Sequence, residues 1–78
     1  MHLDIITPDA NLFSGSVSAV RFPGSDGSFG VLERHAPLIA TLKAGTINIL
    51  DDRQQSQQIQ IQGGVVEVLD NRIMVLAE

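Results

Sequence analysis

Gln57-Gln58-Ile59-Gln60-Ile61-Gln62 is the stretch that decides the fold, because isoleucine alternates there with glutamine. Successive side chains of a β-strand point to opposite faces, so this alternation produces one apolar face and one polar face. The pattern predicts that Ile59 and Ile61 both point into a core. The glutamine-rich stretch around it, residues 54–62, is short and regular, and we interpret it as part of a hairpin.

Other runs show the same period of two or are rich in β-branched residues. They lie at residues 3–7, 17–22, 46–50, 65–69 and 72–76. Residues typical of turns separate these runs. Those turn residues are Pro8-Asp9, Pro23-Gly24, Asp26-Gly27, Gly45, Asp51-Asp52 and Gly63-Gly64. Many short strands with closely spaced turns predict an all-β sandwich or barrel, which we place in one domain over residues 1–78.

The last quarter of the chain allows two interpretations. Val65, Leu69, Ile73 and Leu76 have the spacing of a helical stripe. We favour two strands joined at Asp70-Asn71, because β-branched residues dominate and this dipeptide is a poor helix centre. Aspartate and asparagine also tolerate the positive φ of a tight hairpin turn.

Composition excludes several classes of protein. The chain has 78 residues, no cysteine, no tyrosine, no tryptophan and a formal net charge of −4. Without cysteine it forms no disulfide and no thiolate metal site. The lack of disulfides favours a reducing compartment. The acidic charge and five scattered basic residues argue against nucleic-acid binding. The chain lacks a long apolar run and a basic N-terminal signal, so we expect a soluble protein without direct membrane insertion.

The loop richest in glycine is Gly24-Ser25-Asp26-Gly27-Ser28-Phe29-Gly30. Its spacing fits neither G-x-G-x-x-G nor G-x-x-x-x-G-K-[ST], the two glycine patterns that cradle phosphates. We interpret it as a tight turn in which glycine provides special backbone angles. A turn that projects from a sandwich can also serve as a contact loop.

Neither histidine has the neighbours that catalysis or metal binding requires. A catalytic His35 would need a nucleophile or carboxylate in reach, so we rank a structural role first, an interface role second and a catalytic role last. His2 and His35 lack metal-ligand spacing, and we expect His2 to face solvent. We interpret Asp51-Asp52-Arg53 as a polar hairpin tip. We therefore predict a non-enzymatic protein without a metal or cofactor.

A set of motifs along the whole chain resembles one known family. In chain order they are residues 2–8 (HLDIITP), 12–15 (LFSG), 27–32 (GSFGVL), 35–38 (HAPL), 42–45 (LKAG), 63–68 (GGVVEV) and 75–78 (VLAE). The combination resembles the N-terminal β-sandwich domain of the epsilon subunit of F-type rotary ATP synthase, which is called delta in mitochondria.

The resemblance implies a ten-stranded sandwich or flattened barrel in the central stalk of the rotor. Such a subunit docks the gamma subunit to the membrane c-ring and couples ion (proton) translocation to ATP synthesis by the alpha/beta hexamer. It is itself non-catalytic and lies on the cytoplasmic, matrix or stromal face of the membrane as a peripheral component. Most members continue into a two-helix C-terminal domain. Since this chain ends at Glu78, the resemblance implies the sandwich without that helical hairpin, and neither inhibition nor ATP binding is carried over.

The resemblance also implies two sets of contact residues. Asp26, Gly27, Ser28 and Phe29 would face the c-ring. Ser28 stands where many members carry an acidic residue, and Asp26 can supply that charge instead. The gamma subunit would contact a second set, which consists of Thr7, His35, Ala36, Pro37 and Leu38.

Two other functions compete with a rotor subunit. One is a free-standing ligand- or carbohydrate-binding β-sandwich, but sugar-binding platforms usually need exposed tryptophan or tyrosine. The other is a small hydrolase, but the sequence offers no combination of a nucleophile and a base.

In members of the resembled family, Pro-Gly often precedes His-Ala-Pro-Leu, whereas this chain has Glu33-Arg34.

Overall fold

The computed structural model describes the whole chain, Met1–Glu78, and confirms the all-β prediction. Six strands are present: β1 (His2–Ile6), β2 (Asn11–Phe22), β3 (Phe29–Leu32), β4 (Leu38–Asp51), β5 (Ser56–Leu69) and β6 (Arg72–Ala77). None of the chain forms a helix with the length and apolar character needed to cross a membrane.

The strands form one sheet that closes on itself. Its order is β1-β6-β5-β4-β2-β3, and β1 also pairs with β2. Five strands therefore form a closed ring, while β3 adds to the second half of β2. β1 pairs in parallel with β6 and antiparallel with β2, and the other pairs are antiparallel.

The ring is flattened into two layers because three long strands contribute to both. The first layer contains β1, β6 and residues 11–16, 38–43 and 64–69. The second layer contains β3 and residues 17–22, 45–51 and 56–62. The resemblance implies ten strands, whereas six continuous strands are present. They form nine segments when β2, β4 and β5, which run for 12, 14 and 14 residues through both layers, are counted once in each layer.

Fifteen buried apolar side chains fill the space between the layers. Leu3 and Ile5 alternate with half-buried neighbours in β1, as the period of two predicted. Ile61 is buried and Ile59 is half-buried against the same core, which confirms that both isoleucines point inward. β5 passes from the second layer to the first at Gly64, whose φ is 150°. A side chain there would collide with the Leu76 carbonyl oxygen, so only glycine fits.

A bulge in β2 changes which residues face the core. Val17 pairs with Asp51, and Ala19 pairs with Leu50, so Ser18 is an extra residue on the β2 side. The Ser18 hydroxyl lies 3.2 Å from the carbonyl oxygens of both Leu50 and Asp51 and donates to them. Val17 is buried before the bulge, and Val20 and Phe22 are buried after it. This is why neither set of alternating residues in the run 17–22 is uniformly apolar.

The predicted turns at both hairpin tips are confirmed. Asp70 and Asn71 have φ values of 51° and 61°, the left-handed conformation that a two-residue turn between twisted strands requires. At the other tip, the Asp51 carboxylate accepts hydrogen bonds from the backbone of Arg53 at 2.8 Å and Gln55 at 2.9 Å. Asp51 therefore stabilises a polar turn.

Replacing Ile61 tests the core. We expect Ile61→Ala to lower the free energy of unfolding by ~2–5 kcal/mol, because a buried side chain is removed from a site that collapses only in part. Chemical denaturation would measure the loss. Gln60→Ala, which changes the exposed neighbour, should stay within about 0.5 kcal/mol of the parent. Equal effects of the two changes would contradict the observed alternation.

Candidate protein-binding surfaces

Exposed apolar side chains gather on the solvent side of the first layer. Six of the seven large exposed apolar residues lie there, and we call them the outer apolar face: Leu12, Ile39, Val65, Leu69, Met74 and Leu76. Ile39 is 73% exposed and Leu76 is 55% exposed. Monomeric proteins rarely expose apolar residues in a contiguous set, and such a set usually marks a protein-binding surface.

Strand register brings these residues together. Val65 pairs with Leu76, and Leu76 pairs in turn with Ile6 of β1. In the next row Glu67 pairs with both Ile39 and Met74. Paired residues of neighbouring strands project on the same face, so Val65 and Leu76 form an apolar row with Ile6, whereas Glu67 separates Ile39 from Met74 in the next row.

A polar group borders the outer apolar face on β1. The Ser14 hydroxyl donates to the Asp4 carboxylate at 2.6 Å, and His2 Nε2 lies 3.2 Å from the other carboxylate oxygen. The hydrogen bond from Ser14 lowers the pKa of Asp4 below its ordinary value, and His2 lowers it further, whereas burial opposes both. Ser14 and His2 both contact Asp4 and not each other, so this arrangement does not activate Ser14 as a nucleophile.

The loop predicted to face the c-ring is held at the edge of the first layer. The Ser25 backbone N–H donates to the Thr41 carbonyl oxygen at 3.0 Å. The ring of Phe29 packs on buried Phe22, with 5.5 Å between the centroids. Phe29 is therefore mainly an anchor, whereas Asp26 and Ser28 are exposed.

Thr7 stabilises a turn after β1. Its hydroxyl oxygen accepts hydrogen bonds from the backbone N–H groups of Ala10 at 3.0 Å and Asp9 at 3.3 Å. The turn lies beside Leu76 in a shallow cleft of about 300 Å³ that also includes Pro8. Thr7 is thus at one end of the outer apolar face.

His35 lies at the opposite end of the same layer. The Arg34 N–H donates to the Asn71 side chain at 2.9 Å, and Asn71 donates to Glu33 at 2.8 Å, which ties this segment to the β5–β6 turn. His35 Nδ1 is 2.7 Å from the Ala36 carbonyl oxygen. From the register of β6, about 15 Å of strand separates this turn from the Thr7 end.

The predicted gamma-facing residues therefore do not form one cluster. Thr7 and His35 bracket the outer apolar face, and Ala36 and Pro37 are exposed beside His35. Leu38 is half-buried against the core. It also lines a cleft of about 440 Å³ together with residues 24–27 and Phe29. The structure thus joins the two predicted contact sets at this cleft.

Sequence reasoning missed the outer apolar face itself. Val65, Leu69 and Leu76 are the residues that suggested a helical stripe, and all three are exposed, whereas the residues Val66, Val68 and Val75 are buried. The sequence did contain a signal for this face, since β5 and β6 carry apolar residues at both alternating positions. This pattern implies that both faces of the sheet are covered.

Comparison with known proteins identifies this arrangement. A family model described as "ATP synthase, Delta/Epsilon chain, beta-sandwich domain" matches residues 1–78. The chain belongs to this family. The resemblance drawn from the sequence motifs is therefore confirmed.

Relatives within the delta/epsilon family are similar over nearly the whole chain. The ATP synthase epsilon chain of Desulfatibacillum aliphaticivorans is 45% identical over 97% of this chain and 54% of its own length. That of Campylobacter curvus is 42% identical over 100% of this chain and 60% of its own length. The chain therefore spans little more than half the length of these relatives.

Solved structures share the delta/epsilon sandwich fold. A chain of the Euglena gracilis mitochondrial ATP synthase superposes with a TM-score of 0.90 at 22% identity, covering 96% of this chain and 48% of that one. A chain from the central stalk and c-ring of the Tetrahymena thermophila enzyme gives 0.82 at 18% identity, covering 99% and 62%. At these identities the likeness concerns the fold.

Removing the Ser14 hydroxyl tests the polar border of this sandwich. We expect Ser14→Ala to raise the pKa of Asp4, because the largest cause of its lowering is lost. A lowered pKa in the folded state adds stability above the unfolded pKa of ~3.9, and this stability is lost as the pH falls through the folded pKa. The variant should therefore be less stable than the parent at neutral pH, with the difference shrinking in acid. Carboxyl NMR titration measures the pKa, and an unchanged value, or an equal shift in Ser16→Ala, would contradict the assignment.

Proposed function

We propose that this chain is a non-catalytic rotor subunit of the central stalk of an F-type ATP synthase. In this role residues 1–78 dock the gamma subunit to the c-ring, so that ion (proton) translocation is coupled to ATP synthesis by the alpha/beta hexamer. The chain would associate with the membrane through this complex, on the cytoplasmic or equivalent face. The observation that carries the proposal is the outer apolar face on a member of the delta/epsilon family.

The outer apolar face supports the gamma contact. The residues at its two ends, Thr7 and His35, are among the five that the family resemblance assigns to gamma. Apolar area in the middle with polar groups at the border is the usual organisation of a stable interface. A closed sheet holds these side chains in fixed positions, which lowers the ordering cost of binding.

The loop with Asp26 and Ser28 supports the ring contact. Its base is anchored by Phe29 and by the hydrogen bond from Ser25 to β4. Its tip exposes Asp26, a single negative charge that can attract basic or amide groups. The cleft at Leu38 connects this loop with the gamma-facing set, so one rigid unit would contact both partners.

Cysteine crosslinking tests the gamma contact in the assembled complex. We expect Thr7→Cys, His35→Cys and Leu76→Cys to crosslink to gamma, because all three lie along the proposed interface. Gln58→Cys is the control, since it is exposed on the other layer. Crosslinks from Gln58 alone, or from the three sites only to the c-ring, would show that the wrong face has been assigned.

Charge reversal tests the ring contact. A rim ion pair is worth only ~0–1 kcal/mol, so Asp26→Ala should reduce coupling of ion flow to ATP synthesis slightly. Asp26→Lys should reduce it more, because it adds repulsion. Asp52→Lys makes the same change at the β4–β5 tip and should have no effect. If Asp26→Lys and Asp52→Lys couple equally well, Asp26 does not contact the ring.

A further inference from the structure

The turn before His35 has a backbone conformation that its own residues do not favour. The His35 N–H donates to the Leu32 carbonyl oxygen at 3.1 Å, which closes a β-turn around Glu33 and Arg34. Arg34 has a φ of 62°, whereas the φ of Glu33 is not positive. This combination is that of a type II turn, which favours proline at the first central position and glycine at the second. Arginine is uncommon with such a φ, so the turn needs support from outside it.

The side chain of Asn71 supports this turn from the tip of the β5–β6 hairpin. Its carbonyl oxygen accepts a hydrogen bond from the Arg34 N–H at 2.9 Å, and its amide nitrogen donates to the Glu33 carboxylate at 2.8 Å. We call these two hydrogen bonds the Asn71 bridge. The other carboxylate oxygen of Glu33 contacts the Met1 nitrogen. Both central residues of the turn are thus held by one side chain that is distant in the sequence.

Asn71 has two roles that can be separated. Its backbone, with a φ of 61°, forms the hairpin turn, and its main-chain carbonyl oxygen accepts a hydrogen bond from the His2 N–H at 3.2 Å. Glycine could replace asparagine in this role, because a two-residue turn of this kind accepts glycine at either position. The Asn71 bridge, in contrast, requires a side chain that carries both an acceptor and a donor.

The Asn71 bridge joins two parts of the proposed gamma-binding surface. Strands β5 and β6 meet at Asn71 and carry Val65 and Leu76 of the outer apolar face. Residues 35–37 belong to a different part of the chain, the connection from β3 in the second layer to β4 in the first. The bridge therefore fixes the position of residues 35–37 relative to the outer apolar face.

We infer that Asn71 is a positioning residue for the gamma contact, which holds residues 35–37 where gamma can bind them together with the outer apolar face. This inference rests on the proposed function, since it takes gamma as the partner of both parts. A partner that contacts two parts of a surface binds more tightly when their relative position is already fixed, because less conformational entropy is lost on binding. Asn71 acts through the bridge and does not have to contact gamma itself.

Asn71→Gly tests the inference, because it removes the bridge and keeps the hairpin turn. Titration of ATP synthase depleted of this subunit measures the affinity of the chain, and NMR amide exchange reports on the turn. We expect exchange of the Arg34 N–H to be at least about fivefold faster and binding to be about tenfold weaker, since two hydrogen bonds are lost. Asp70→Gly is the matched control. It makes the same replacement at the neighbouring turn position, leaves the bridge intact and should stay within about twofold of the parent in both measurements.

An exchange of donor and acceptor provides a rescue experiment. Asn71→Asp keeps the acceptor for the Arg34 N–H but places a carboxylate against Glu33, so it should weaken binding as Asn71→Gly does. Adding Glu33→Gln returns a donor to this pair and should bring the affinity back to within about threefold of the parent. A residue that only stabilised the fold would change the melting temperature and leave the affinity of the folded chain unaltered.

The outcomes separate this inference from the proposed function. If the parent binds the depleted enzyme and Asn71→Gly binds equally well, Asn71 is not a positioning residue, although the rotor function stands. The same conclusion follows if Asp70→Gly weakens binding as much, or if Glu33→Gln does not rescue Asn71→Asp. If the parent itself does not bind, the proposed function fails and the inference fails with it.

Discussion

Closure of the sheet through β1 is the constraint on which the rest of the structure depends. β1 has a partner on both sides, β6 in parallel and β2 antiparallel. It carries Leu3 and Ile5, which have no exposed surface. A chain of 78 residues without a disulfide has little apolar area to spare, so it needs a core enclosed on all sides. Without β1, the edges of β2 and β6 would open and the core between the layers would be exposed.

The closed ring also explains the outer apolar face. Strands β5 and β6 carry apolar side chains at both alternating positions, and only one set can point into the ring. Val66, Val68 and Val75 form part of the core, which leaves Val65 and Leu76 directed at solvent. The inward side chains stabilise the fold because they are buried. The outward side chains stay in contact with water unless a partner covers that face. One face of these strands thus stabilises the fold, and the opposite face is exposed.

The two layers have different surfaces because their outward residues differ. In the second layer the exposed positions of β4 and β5 are polar, as Asn48 and Gln58 illustrate. In the first layer the backbone of β5 and β6 is fully paired, and the open feature is the side-chain surface. The two layers therefore differ in the side chains that they expose.

The sequence by itself determined the all-β class, the inward direction of Ile59 and Ile61, and the turns at Asp70-Asn71 and Asp51-Asp52, because these depend on alternation and on local backbone preferences. Its motifs also determined the family. Only the tertiary structure decided that Ser18 forms a bulge, that Val65 and Leu76 face solvent, and that Phe29 is an anchor. These outcomes depend on which strands pair and in which register. Pairing joins residues distant in the chain, such as Leu3 with Ile73, and no local pattern encodes that choice.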